Sequence, residues 1–257
     1  MAMSKLLIIH NLKDFNALPA LERWFRRYHV PEVLTQYPWT NRYLLYRVIP
    51  EPDGAERFGF FNYRVHENWV TGSESRRGER GLLSMTQQPY PDAMDAIVVN
   101  MPAEPTDDFL GSDLHFDDHT ILRWVCVFRY PDGADIDKAD DWYLNVHVPE
   151  MKKTPGLNRY FSTKAYISEK SPLPQGDSFK KHMDLFYRQW HRVTELWFDD
   201  SNSWKNGIIG NLPKLTRPSW ATDGNYPFII PGSEFISTFI LEKPDNDFIK
   251  ERSSLYF

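Results

Sequence analysis

The sequence predicts an α+β fold built from two tandem copies of one β-α-β-β-α-β module, packed sheet to sheet. Three observations carry that expectation. Residues 24–32 (Trp-Phe-Arg-Arg-Tyr-His-Val-Pro-Glu) return as residues 142–150 (Trp-Tyr-Leu-Asn-Val-His-Val-Pro-Glu). Further along, Asn41-Arg42-Tyr43 returns as Asn158-Arg159-Tyr160, and Arg64-Val65-x-Glu67-x-Trp69 returns as Arg192-Val193-x-Glu195-x-Trp197. Matched blocks in one order at module-length spacing are the mark of an internal duplication. Around those blocks, hydrophobic periodicity switches between strand and helix character.

The first module, expected over residues 1–118, opens with a short apolar strand over 5–10. Asn16 is placed to cap a helix, and Pro19 is tolerated in its first turn. Leu21, Trp24, Phe25 and Tyr28 fall on one helical stripe, with His29 beside it near the end. Pro31 is expected to end or kink this helix at Val30, because its ring disfavours helical geometry before it. A strand over 42–49 sets Tyr43, Leu45, Arg47 and Ile49 on one face and Arg42, Leu44, Tyr46 and Val48 on the other. After a Pro/Gly turn, a second strand region over 58–70 sets Arg64, His66 and Asn68 opposite Val65, Glu67 and Trp69. A Gly-interrupted helix over 73–85 and an apolar strand over 95–101 complete the split βαβ order called ferredoxin-like. Residues 102–118, with Pro, Asp and Gly, read as a linker.

The second module, expected over 119–257, repeats the order. A strand over 121–130 leads to a helix capped by Asp135 or Asp137 and running through Val148. Strands follow over 159–167 and 193–198, then a short helix over 201–209 and a closing strand over 235–241. Two insertions depart from the first copy. Residues 168–190 suggest an amphipathic helix with Phe179, Met183, Phe186 and Trp190 on one face. Residues 211–233 form a loop long enough to act as a lid, although insertion loops can equally be inert. A ferredoxin-like sheet has one face that its own helices leave bare, so two fused modules can cover each other as a pseudo-symmetric barrel.

Composition bounds the function. With 41% hydrophobic and 15% aromatic residues in 257, the chain has ample material for a core. A net charge of −5 argues against a nucleic-acid surface. The apolar runs are too short to span a bilayer and the N-terminus lacks a secretory pattern, so a cytoplasmic protein with no membrane partner is expected. Cys126 stands alone, which leaves no disulfide framework and no cysteine-based metal cluster. Neither a Gly-rich phosphate cradle nor a nucleophile elbow is present, and no cofactor is expected. His115 and His119 have the spacing of a helical metal pair but fall in the linker, so no metal is expected there either.

The remaining candidates are histidines and their company. His29 and His147 near helix ends would, taken singly, be structural residues favoured by the helix dipole. Tyr43 and Tyr160 open the strand that follows each helix, so an imidazole and a phenol could meet in one pocket. That pair can move protons near neutral pH. His66 joins the first set, where the second copy has Thr194. Arg64 and Arg192 share a strand face with them and could hold a substrate carboxylate. Asn68, Arg123 and Trp197 complete the expected substrate-binding residues.

The helix carrying His-x-Pro, the Asn-Arg-Tyr strand start and Glu195-Leu196-Trp197-Phe198-Asp199 resemble the EthD-like branch of the dimeric α+β-barrel superfamily. The likeness runs through both halves. It implies a barrel that single-module relatives form by dimerisation and that this chain forms by fusion; a further homodimer stays open. Relatives include muconolactone methylisomerases, cofactor-free monooxygenases and polyketide dehydratases or cyclases. In the first of these the helix histidine and strand tyrosine belong to the active site, which maps onto His147 and Tyr160, and by repeat onto His29 and Tyr43. The cysteine of that branch is replaced by Leu196 and Asn68, against lactone chemistry of that kind. The expected function is therefore a cofactor-independent cis–trans or tautomeric isomerase of a small carboxylated unsaturated metabolite from lignin-derived aromatic catabolism. The alternatives are a dehydratase, decarboxylase or cofactor-free monooxygenase, and a non-catalytic ligand- or haem-binding barrel with His29 or His147 as axial ligand. Which copy is active stays open.

Overall fold

The computed structural model describes residues 3–37, 39–71, 86–114, 121–167, 185, 188–221 and 230–250. The first sheet holds β1 (Met3–Leu12), β2 (Thr40–Arg47), β3 (Arg64–Thr71) and β4 (Met94–Pro102) in the order β2-β3-β1-β4, all antiparallel. A short strand, β5 (Asp107–Leu110), follows. The second sheet holds β6 (Leu122–Phe128), β7 (Leu157–Lys164), β8 (Arg192–Phe198) and β9 (Phe235–Leu241) in the matching order β7-β8-β6-β9, and β10 (Asn246–Asp247) comes last. This is the duplicated ferredoxin-like order that the repeats predict.

The stretch read as a linker contains a strand. β5 leaves the first module and pairs with β7, while β10 leaves the second module and pairs with β2. Each module thus covers the open edge of the other, where unpaired N–H and C=O groups would otherwise face solvent. Pattern reading misses β5 because four residues are too few for a periodicity signal.

Between the sheets lies a shared core, with Leu7, Ile9, Leu44, Val65, Ile97 and Val99 from one side and Val125, Val127, Val193, Ile236 and Ile240 from the other. Burying each such side chain contributes about 1.5–3 kcal/mol before entropy is set against it. The opposite face of each sheet carries helices. In the first module α1 (Leu18–Trp24) continues through a π-helical turn at Phe25–His29 into α2 (Val30–Gln36). The second has α3 (Ile136–Trp142), a π turn at Tyr143–His147 and α4 (Val148–Met151). Val30 N–H bonds Phe25 O and Val148 N–H bonds Tyr143 O, five residues back in each case. Of the two expectations for Pro31, ending or kinking the helix, the first fails: helical residues run on to Gln36, and past Pro149 to Met151 in the second module. Each proline falls in the first turn of the segment after the wider π turn, where a missing N–H and a fixed φ are tolerated.

The strand expected from residue 58 begins at Arg64 instead. Residues 55–58 form a 3-10 turn, and Phe61 N–H donates to Ser237 O at 2.8 Å, tying this segment to the second module. Gly59 has φ 61°, and a Cβ there would stand 2.5 Å from the Phe235 carbonyl oxygen, so the crossing requires glycine. A further helix, α5 (Ser201–Trp204), runs into a third π turn at Lys205–Ile209. Among the described residues no helix is long and apolar enough to cross a membrane. The helix expected over 73–85, the histidines at 115 and 119, most of the insertion over 168–190 and residues 222–229 of the long loop lie outside the described residues.

Candidate functional site

The two sheets carry two chambers, each roofed by a helix with its π turn, and they differ in what fills them. In the first, β1 supplies His10, β2 supplies Tyr43, β3 supplies Arg64, His66 and Asn68, and the π turn supplies Phe25 and His29. Strand alternation puts these residues on the helix side, because their neighbours Leu44, Val65 and Ile9 are in the inter-sheet core. The His66 ring lies 4.7 Å from His10, 4.7 Å from Phe25 and 5.8 Å from Tyr43. His29 packs on Trp24 at 4.9 Å and on Phe25 at 5.6 Å. The Arg64 guanidinium lies 4.2 Å from the Phe25 ring.

Except for the partly exposed His29 these groups are buried, with Arg64 at 3% and His66 at 2% exposure. Yet Arg64 Nε and Nη1, both nitrogens of His66, His10 Nδ1 and Asn68 Oδ1 have no hydrogen-bond partner among the described residues. Buried polar atoms are nearly always paired, and each orphan costs about 1–3 kcal/mol. Five of these atoms lie on Arg64, His66 and Asn68 of one strand, with His10 facing them from the next. Burial, reinforced by Arg64, pushes His10 well below the usual imidazole range. Burial does the same to His66, with His10 and Arg64 adding to it. Burial and then Arg64 hold His29 down to about 4. All three imidazoles are neutral at pH 7, so each presents one unprotonated ring nitrogen. Burial raises the Tyr43 phenol, which therefore keeps its proton and can donate a hydrogen bond. Arg64 is itself lowered by burial but stays cationic.

The second chamber is filled. Register places Phe128 at the position of His10, Thr194 at that of His66 and Leu196 at that of Asn68. Tyr143 replaces Phe25, and its hydroxyl bonds both Tyr160 Oη and Thr194 Oγ1 at 3.0 Å. The expected meeting of His147 with Tyr160 is thus relayed through Tyr143, whose ring stacks on His147 at 5.5 Å. His147 is 1% exposed, and burial pushes it down to about 3. Arg192 donates from Nε to Asp140 Oδ1 at 2.5 Å, from Nη2 to Asp140 Oδ2 at 2.9 Å, and from Nη1 to Asp107 at 2.7 Å and Ser162 at 3.2 Å. At the corresponding positions around Arg64 stand Glu22, Asn246 and Leu45. Glu22 reaches only Nη2, at 3.5 Å, and accepts a 2.6 Å hydrogen bond from the Tyr63 hydroxyl, to which Nη2 also donates.

Arg123 and Trp197 face neither chamber. Arg123 sits between the sheets, bonded to Glu195 at 2.9 Å and Glu67 at 3.0 Å, with Lys5 at 3.8 Å from Glu67 and 3.9 Å from Glu195. Trp197 N–H donates to Glu195 at 3.1 Å, and Trp69 N–H to Glu67 at 3.4 Å. Lys5 and Arg123 occupy equivalent positions, as do Glu67 and Glu195, so this neutral quartet straddles the pseudo-twofold. His10, Glu22 and Phe25 escape the sequence reading of the site. Alternation along β1 could have put His10 on the right face, but only the β1–β3 register sets it opposite Arg64. Among the described residues no three His, Cys, Asp or Glu side chains are grouped to hold a metal ion.

A two-module α+β barrel with one buried, under-paired polar cluster is the class these features define. Residues 1–102 match the family model of the chalcone isomerase N-terminal domain, a stretch that includes His10, Phe25, His29, Tyr43, Arg64, His66 and Asn68. No curated protein matches the sequence. Among solved structures, an anthrone oxidase-like protein is 8% identical, with 96% of this chain and 92% of that one covered and a TM-score of 0.50. A mutant chlorite dismutase from Candidatus Nitrospira defluvii in complex with cyanide is 7% identical over 93% and 90% of the two chains, with a TM-score of 0.45. A heme-binding protein from Thermus thermophilus is 11% identical over 100% and 96%, with a TM-score of 0.32. At such identities the likeness concerns the fold alone.

Proposed function

We propose that the chain is a cofactor-independent isomerase that acts by acid–base chemistry on a small carboxylated, unsaturated metabolite, and that its first chamber does the work. The observation that carries this reading is Arg64, a buried cation with two donor nitrogens unmet, among neutral imidazoles. A substrate carboxylate or developing oxyanion would supply the missing acceptor. His66, or His29 beyond Phe25, would accept a proton from the bound substrate. Negative charge then spreads over the conjugated chain, a double bond gains single-bond character and rotates, and the proton returns. Tyr43 and Arg64 would stabilise the charged intermediate. The match of residues 1–102 to an isomerase domain family supports the reaction class. A ring-cleavage product of lignin-derived aromatics, such as the methylated product of syringate catabolism, is the finer substrate expectation.

The test is an ultraviolet screen of unsaturated dicarboxylates, run under nitrogen with product masses measured. A spectral change at constant mass that disappears in Arg64→Met supports the proposal. Turnover that needs oxygen, or that loses water or CO₂, assigns the chain to the monooxygenase or the dehydratase and decarboxylase alternatives instead.

A further inference from the structure

The repeated Val-Pro-Glu ends in the same clamp in both modules. Glu32 accepts the Thr86 N–H at 2.9 Å and also the Thr86 hydroxyl. Glu150 accepts the Thr216 N–H at 2.7 Å and its hydroxyl at 2.6 Å. Each clamp lays the segment after the threonine along the shoulder of the helix. Four residues on, the second module has Trp220, which stands edge-on to Trp142 with ring centroids 5.7 Å apart and planes at 87°. The first module has Tyr90 at that place, 51% exposed. Among the described residues its shoulder forms a cleft of about 390 Å³ beside Trp24, bounded by Arg23, Arg27, Tyr28 and the segment 86–89. The second module has Asp141 and Asn145 where the first has Arg23 and Arg27, and Asn145 donates to Asp141 at 2.7 Å. No ion pair or hydrogen bond engages Arg23 or Arg27 among the described residues.

We propose that this cleft binds a planar aromatic ring bearing an anionic group. The ring takes the place against Trp24 that the second module gives to its own Trp220, and the anion lies on Arg23 and Arg27. The chain's second copy shows that this shoulder accepts an aromatic ring edge-on, and the arginines distinguish the first copy by charge. Trp24 packs on His29 at 4.9 Å, so a ligand here is one indole away from the chamber. The site is separate from Arg64 and does not depend on the reaction proposed above.

Benzoate is the probe, and the readout is the Trp24 indole N–H, which donates to Thr86 O at 2.9 Å and is assigned with Trp24→Phe in ¹H–¹⁵N spectra. A saturable shift is expected. It should weaken by about tenfold or more in an Arg23→Ala/Arg27→Ala double variant, and likewise for cyclohexanecarboxylate, which has the same charge but no planar ring. Affinity should be unchanged in Arg64→Met. Absence of a saturable shift, equal affinity for cyclohexanecarboxylate, or indifference to the double variant overturns the proposal. Loss of binding in Arg64→Met also overturns it, by placing the anion in the chamber.

Discussion

Arg64 and Arg192 occupy the same position in two copies of one module, yet Arg192 holds Asp140, Asp107 and Ser162 while Arg64 keeps Nε and Nη1 unpaired. Duplication supplied two arginines; divergence of three neighbours made one an internal tie and left the other able to receive an anion. Removing them should therefore have opposite consequences. Arg192→Met leaves Asp140 and Asp107 without their buried partner and should cost about 3–5 kcal/mol. Arg64→Met removes an under-paired buried cation and should leave stability unchanged or higher. Thermal unfolding separates the two, because ~1 kcal/mol moves Tm by about 2–4 °C in a chain of this size. Equal destabilisation by both substitutions would contradict the difference in pairing.

His10→Phe and His66→Thr install residues that the second module already carries at these positions, Phe128 and Thr194, so both variants should fold. On the proposed reaction, His66→Thr should lower kcat by about 10²–10⁴-fold, the usual contribution of a positioned acid–base group. His147→Gln should instead act on stability, since that ring is sealed between Trp142 at 5.5 Å and Tyr143 at 5.5 Å. Steady-state kinetics beside urea titrations give both readings. Unchanged turnover in His66→Thr with full loss in His147→Gln would move the chemistry to the second chamber.

Acid should unfold this protein through its histidines. Burial first, with Arg64 adding to it at His10 and His29 and both His10 and Arg64 at His66, depresses the folded pKa of each; burial alone depresses that of His147. Groups depressed on folding are protonated first in the unfolded chain, so stability is full above about pH 6.5 and falls as pH drops toward 4. Each such histidine adds up to about 1.4 kcal/mol per pH unit in that window. Asp140, held at about 2 against its desolvation chiefly by hydrogen bonds from Arg192 and Lys164, extends the loss below pH 4. Chemical denaturation from pH 8 to 4 measures the slope. A flat profile between pH 6.5 and 5 would exclude buried neutral imidazoles.

The inter-sheet quartet should behave as a structural tie. Arg123→Met removes the 2.8 Å and 3.0 Å contacts to Glu195 and Glu67 and leaves Lys5 alone with two buried carboxylates. The expected cost is about 3–5 kcal/mol, with partial recovery when Glu195→Gln is added. A double-mutant cycle by denaturant unfolding reads the coupling directly. Additive losses would mean that the charges do not act on each other.

Much of the fold was legible in the chain. The repeated blocks specify two modules, and period-two alternation already sets Arg64, His66 and Asn68 opposite Val65, Glu67 and Trp69. Edge strands of four and two residues were not legible, because their pairing depends on a distant module rather than on local pattern. Pro31 was legible only in part: regular α-helix breaks just before it, but through a π turn that lets the helix continue. For the site, repetition drew attention equally to His29 and His147, and only their surroundings tell the two apart.

The sequence by itself determined the duplication, the α+β class and the residue types available for proton transfer and anion binding, since these follow from composition, periodicity and spacing. Tertiary structure alone decided which of two equivalent arginines has all three nitrogens engaged. That depends on the lengths of a few side chains from strands and helices far apart in the chain, as with Glu22 against Asp140 and Leu45 against Ser162. A buried charge is tied or unmet according to distances of a few tenths of an ångström, and no local pattern in the sequence encodes them.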